Sequence, residues 1–252
     1  MNRESGATKA TVVVVSGPAT GLADRLASRL AEGGHPVGFV SPHGAETRAE
    51  SVRAAGGKAI GVAAPPGDRA ALDAALSRCA ELGPTSTVVL AFHPASAAQS
   101  RELMSLSADE WDHLCEAPIR ACLVGLQSAH QLLSGSGGSV VVVVPTVALV
   151  GADGHVTATT AGEAQRILAK SAARRWGISG ITVNVAAVPL DTLDDGAGGP
   201  PGAAQLSLGP PALPPGDPAI GIASLVDALA GGLDGMVTGA TVCLDSGAVM
   251  AP

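Results

Sequence analysis

Two runs of β-branched residues constrain this chain more than anything else in it. They are Thr11–Val15, all valine after its threonine, and Val140–Val144, flanked by Ser139 and Pro145. A strand that is apolar at every position is buried on both faces, which happens when helices cover both sides of a parallel sheet. Further strands are predicted at Val37–Val40, Lys58–Ala63, Thr87–Ala91, Ile181–Ala186 and Thr241–Leu244. Between them lie segments with helical periodicity. Leu22, Leu26 and Leu30 share one face over Gly21–Glu32, and Leu72, Leu76 and Cys79 share another over Ala70–Leu82. Ser107 and Glu110 form a capping box that opens a long helix to about Leu133. A further helix covers Thr159–Trp176. Asp217-Pro218 is an N-cap with proline at the first helical position, opening a last helix to about Ala230. The pattern predicts one α/β domain over residues 11–252, a Rossmann-type doubly wound parallel sheet of about seven strands flanked by helices. Residues 1–10 are a polar tail. Residues 196–217, rich in Pro and Gly, can form neither helix nor central strand, and are either a lid or an insert.

Composition narrows the chemistry. The chain has 252 residues and no tyrosine, and aromatics make up only 2%. No step that needs a phenol is available. The net charge of −7 disfavours nucleic acid and anionic membrane as partners. The tail lacks the apolar core of a signal peptide, and no apolar run is long enough to span a bilayer, so a soluble, cytoplasmic protein is expected. Cys79, Cys115, Cys122 and Cys243 have neither C-x-x-C spacing nor a histidine at metal-binding spacing, and read as small buried apolar residues. Asp191, Asp194 and Asp195 form a charge run with no second ligand set, so no metal site is expected.

After the first strand comes Ser16-Gly17-Pro18-Ala19-Thr20-Gly21-Leu22-Ala23, a glycine-containing turn entering a helix. The free amides at such a helix start can cradle a phosphate. Here the chain resembles the short-chain dehydrogenase/reductase (SDR) family, of the β-ketoacyl reductase kind. Its loop T-G-x-x-x-G-x-G is matched by Ser16, Gly17, Gly21 and Ala23. The likeness continues through Asp109-Glu110-Trp111-Asp112, Gly137-Gly138-Ser139-Val140-Val141, the run Trp176–Val185 and Asp245-Ser246-Gly247. It covers the chain from about Thr11 onward. It implies an NAD(P)-binding oxidoreductase fold, with Ser16, Gly17, Thr20 and Gly21 as cofactor-binding candidates.

The resemblance also implies an Asn-Ser-Tyr-Lys tetrad, and in register those positions carry Pro118, Pro145, Ala158 and Gly162. All four family residues are missing. Thr146, Thr159 and Thr160 stand nearby, but a threonine hydroxyl is a far weaker acid than a phenol. Arg166 and Lys170 lie one and two turns beyond Gly162, either reaching back or standing as solvated charges. Cofactor positions are altered as well. Pro18 deletes an amide from the cradle, and Ala23 narrows the approach of helix to strand. Ala64-Pro65-Pro66 stands where the resemblance implies an acid near the adenine. Phe92 and His93 would crowd the adenosine side. Ser41-Pro42-His43 carries neither the acid that selects NAD nor the base that selects NADP.

His93 sits at the strand-four mouth, where it either bonds backbone or joins Thr146, His155, Thr160 and Glu163 in acid–base chemistry. The expectation is therefore an SDR-fold pseudoenzyme without redox catalysis. It would act as a binding or non-catalytic subunit in a homo- or hetero-oligomer with an active SDR, through the Ser107–Leu133 and Thr159–Trp176 helices. No cofactor is expected. The alternatives are a non-redox dehydratase, cyclase or epimerase acting on an acyl or polyketide-like substrate through His93, Thr146 and Thr160, and an NAD(P)H oxidoreductase with relocated catalytic groups that binds NADP or NAD.

Overall fold

The computed structural model describes residues 9–18, 21–94, 96, 98–193, 210–231 and 235–250. Its strands are β1 (Thr11–Ser16), β2 (Val37–Ser41), β3 (Ala59–Ala63), β4 (Thr85–Ala91), β5 (Gly138–Pro145), β6 (Ile181–Val188) and β7 (Thr241–Cys243). All pair in parallel, in the order β3-β2-β1-β4-β5-β6-β7. The helices are α1 (Gly21–Glu32), α2 (Ala45–Ala54), α3 (Arg69–Cys79), α4 (Ala108–Trp111), α5 (Ala117–Leu133), α6 (Val156–Trp176) and α7 (Pro218–Gly231).

The valine runs explain the layering. Side chains alternate across a strand. Val13 and Val15, with Val140, Val142 and Val144, enter a core under α3, α5 and α6. Val12 and Val14, with Val141 and Val143, enter the opposite core under α1, α2 and α7. Both faces are therefore dry, as runs with no polar interruption require. The strand order reverses between β1 and β4. In such sheets the crevice at that switch point, beyond the strand C-termini, is where ligands bind.

Two helices depart from expectation. α2 was not expected, because Ala45–Ala54 is mostly polar and buries only Ala45, Ala49 and Val52. What seats it is a glycine elsewhere: a β-carbon at Gly61 of β3 would overlap the Ala45 carbonyl. The helix expected from Ser107 to Leu133 is divided. Its capping box is formed, with the Glu110 amide donating to Ser107 Oγ at 3.2 Å and the Ser107 amide donating to Glu110 Oε2 at 2.9 Å. A π turn then covers Asp112–Glu116, and the Ala117 amide donates to the Asp112 carbonyl, five residues back. Pro118 has no amide to continue an α ladder, and the wide turn ahead of it accommodates that loss.

Cys79, Cys115 and Cys122 are buried and Cys243 partly so, all as free thiols. Burial pushes the Cys79 and Cys122 thiols up to about 12. No described helix is long and apolar enough to cross a membrane.

Candidate functional site

The switch-point crevice is built from the ends of β1, β3, β4 and β5 and the first turns of α5 and α6. β1 ends in Ser16, which is buried and lies in register with Ala91 of β4. The Gly17 amide donates to the Ala91 carbonyl at 2.9 Å. A β-carbon at Gly17 would lie 2.9 Å from the His93 carbonyl oxygen, so glycine here lets two backbones touch. Thr20 lies outside the described residues. Gly21 begins α1 and Ala23 is buried in the core beneath it. Asp24 adds a negative charge in the first turn of α1.

Phe92 and His93 are placed by their neighbours rather than by the crevice. The Phe92 ring enters the core, where a β-carbon at Gly125 of α5 would come within 2.7 Å of Phe92 Cε2. The missing side chain of Gly125 makes room for the ring, and Phe92 also lines the cavity beside His93. His93 is 7% exposed, and its Nε2 donates to the Val143 carbonyl at 3.0 Å. Only a protonated Nε2 can meet a carbonyl, so Nδ1 carries the lone pair. Burial lowers the ring to about 4, against the opposing pull of the Val143 bond.

Of Pro118, Pro145, Ala158 and Gly162, two pack against each other. Gly162 lies beneath Pro145 and Ala148, with a β-carbon there 2.9 Å from Pro145 Cδ and 2.7 Å from Ala148 Cβ. Ala158 packs with Val147 and Leu190. Pro118 is buried in the first turn of α5. One turn beyond Gly162, Gln165 is fully buried and its Nε2 donates to the Phe92 carbonyl at 3.3 Å.

Among the described residues no hydrogen bond joins His93 to the polar residues expected around it. Thr146 is buried with its hydroxyl unpaired, and His155 is buried at the start of α6 with Nδ1 unpaired. Burial lowers the His155 pKa, opposed by the Asp153 carboxylate. Thr160 is exposed. Glu163 is occupied by Arg166, whose Nε donates to Glu163 Oε2 at 2.6 Å. Lys170 is half-buried two turns beyond Gly162. Among the described residues no cluster of His, Cys, Asp and Glu could hold a metal ion.

Arg48 is the group that sequence reasoning missed. It rises from α2 to the β2 corner, where its Nη1 donates to Ser41 Oγ at 2.9 Å and to the His43 carbonyl at 2.8 Å. Its Nε is paired with Asp24 of α1. No local motif marks it, because it reaches the corner only through the unexpected helix.

A cavity of about 90 Å³ opens beside this site, lined by Gly17, Pro18, Pro66, His93, Pro94 and Pro118 among others. It lies between the β1 loop, the β3–α3 turn, the end of β4 and the start of α5.

Residues 17–249 match the family model described as "Enoyl-(Acyl carrier protein) reductase". No curated protein sequence is significantly similar to the chain. Among solved structures, a dehydrogenase/reductase from Sinorhizobium meliloti 1021 is 29% identical with a TM-score of 0.78, covering 96% of this chain and 97% of its own. The short-chain dehydrogenase/reductase from Serratia marcescens BCRC 10948 is 25% identical with a TM-score of 0.76, covering 95% and 98%. A doubly substituted mutant of a Serratia marcescens short-chain dehydrogenase/reductase is 26% identical with a TM-score of 0.75, covering 96% and 98%. With seven parallel strands in the same arrangement and a family match across nearly its whole length, this chain belongs to the short-chain dehydrogenase/reductase family.

Proposed function

We propose that this chain is an SDR-fold subunit that does not transfer hydride and acts through binding, as a non-catalytic partner of an active reductase. The observation that carries this reading is the packing of Gly162 against Pro145 and Ala148. At the positions where the resemblance implies a lysine and a serine, carbon meets carbon. With no tyrosine in the chain, no phenol from elsewhere in it can take the role. The acid–base alternative loses support from the His93 bond to the Val143 carbonyl and from the pairing of Glu163 with Arg166. A neutral, buried imidazole with its N–H committed to backbone is a poor proton shuttle.

The residues at the dinucleotide positions fit the cofactor poorly. Pro18, Pro66, Pro94 and Pro118 line the adenosine side, and none has a backbone donor. Asp24 in the first turn of α1 opposes a phosphate there. One observation favours the oxidoreductase alternative: Arg48 brings a guanidinium to the β2 corner, although Asp24 already pairs with it. Calorimetry with NADPH and NADH tests both readings. The expected result is no binding of either, no NADPH oxidation, and co-purification with a co-expressed SDR reductase. NADPH turnover overturns the proposal. Binding that Arg48→Ala abolishes assigns the chain to the nucleotide-binding alternative.

A further inference from the structure

We infer that the chamber between the β1 loop, the β3–α3 turn, the end of β4 and the start of α5 binds a small apolar ring that carries a cationic arm. This rests on the reading above, in which the dinucleotide has been given up at this end of the crevice.

The chamber walls are carbon. Pro18 comes from the β1 loop, Pro66 from the β3–α3 turn, Pro94 from the end of β4 and Pro118 from α5. Four segments thus each present a residue without an N–H. A purine or a phosphate entering here would trade its hydrogen bonds to water for apolar contact, at a cost of several kcal/mol per unpaired group. A hydrocarbon ring loses nothing by the same transfer. Two polar side chains complete the wall, exposed His113 and buried His93. The N–H of His93 is held by Val143 and burial keeps it neutral, so it contributes an aromatic edge and one acceptor. At about 90 Å³ the space is smaller than the roughly 150 Å³ that encloses a benzene ring, so it takes one ring edge-in with the rest in the groove it opens to, and no bicycle.

The chamber opens outward. Pro66, His113, Ala117 and Ala121 are shared with a groove of about 520 Å³ that continues past Gly67 to Asp109, Asp112 and Arg120. The π turn over Asp112–Glu116 forms one bank of this groove. Such turns are frequent at binding sites. Arg120 faces Glu116 at 3.9 Å. Among the described residues neither Asp109 nor Asp112 has an ion-pair partner. The rim is therefore acidic on a chain of net charge −7. A ring seated between the prolines projects its substituent toward these carboxylates, and an ammonium group suits them.

The test uses the full chain with benzylamine, benzyl alcohol, AMP and NADPH as probes, titrated by calorimetry and ligand-observed NMR. Benzylamine is expected to bind saturably at one site, and benzyl alcohol more weakly. Asp112→Asn should weaken benzylamine about two- to five-fold and leave benzyl alcohol unchanged. Ala121→Leu should abolish both. Ala117→Leu, at an exposed rim position, is the second filling variant should the first fail to fold. The inference is overturned if no ring probe binds saturably, if both filling variants bind normally, or if AMP displaces the ring. Loss of ring binding with no NADPH binding sinks this inference alone, whereas NADPH turnover sinks the proposed function.

Discussion

Gly162 lies so close to Pro145 at the end of β5 that a β-carbon on it would sit 2.9 Å from Pro145 Cδ. Proline presents only carbon at the strand end and glycine presents no side chain. α6 can then lie directly on the strand end, with Ala148 closing the third side.

Gly162→Ala should therefore destabilise the protein, although alanine is the better helix former. Alanine gains about 1 kcal/mol in helix propensity. Overpacking against Ala148 and Pro145 costs about 1–3 kcal/mol. A net loss on the order of 1 kcal/mol is expected in urea unfolding. Gly162→Lys should lose more and should not bring NADPH oxidation with it. A stabilised Gly162→Ala variant would show that this contact relaxes freely.

Phe92 and Gly125 form a matched pair of the same kind. Phe92→Ala should cost roughly 3–5 kcal/mol, and Gly125→Ala about 1–3 kcal/mol by collision with the ring. The double variant should be less damaged than the sum, because without the ring the added methyl meets only the flexible end of Leu90, at 3.2 Å from its Cδ2. Strict additivity in a double-mutant cycle would place the Phe92 ring elsewhere.

His93 should make stability depend on pH in a defined window. Its folded value is about 4 against 6.5 for the free side chain, so the unfolded chain binds more protons between these limits. The stabilisation is complete above about pH 6.5 and is lost as pH falls toward 4. Its full extent is on the order of 3 kcal/mol. His93→Gln can keep a donor toward the Val143 carbonyl and should flatten the curve in this window. Asp73, Glu110 and Asp227, whose carboxyls are held below the usual range, lose their stabilisation at lower pH in both proteins. Identical curves for the two proteins would mean that His93 is solvated.

Asn184 ties the sheet edge together. It is fully buried in β6, with Nδ2 donating to the Val237 carbonyl at 2.9 Å and Oδ1 accepting from the Ala240 amide at 3.1 Å. Asn184→Ala leaves both backbone groups unpaired and should cost roughly 2–4 kcal/mol. Hydrogen exchange should show β7 losing protection first.

The parallel sheet was legible because it depends on local pattern. Valine runs need two dry faces, leucines at helical spacing supply the cover, and Ser107, Glu110, Asp217 and Pro218 punctuate the helices. What escaped depended on residues distant in sequence. α2 is too polar to announce itself and is seated by Gly61, across the β2–β3 connection. Arg48 reaches the β2 corner only because α2 exists. The seat of the Phe92 ring depends on Gly125, far along the chain in α5. His93 reads as an available base until the Val143 carbonyl is found opposite its ring. The sequence by itself determined the scaffold and the absence of a phenol, since both follow from residue type and short spacing. Only the tertiary structure decided what fills the space left behind, because that depends on which carbon and carbonyl groups four separate strand ends bring within contact distance.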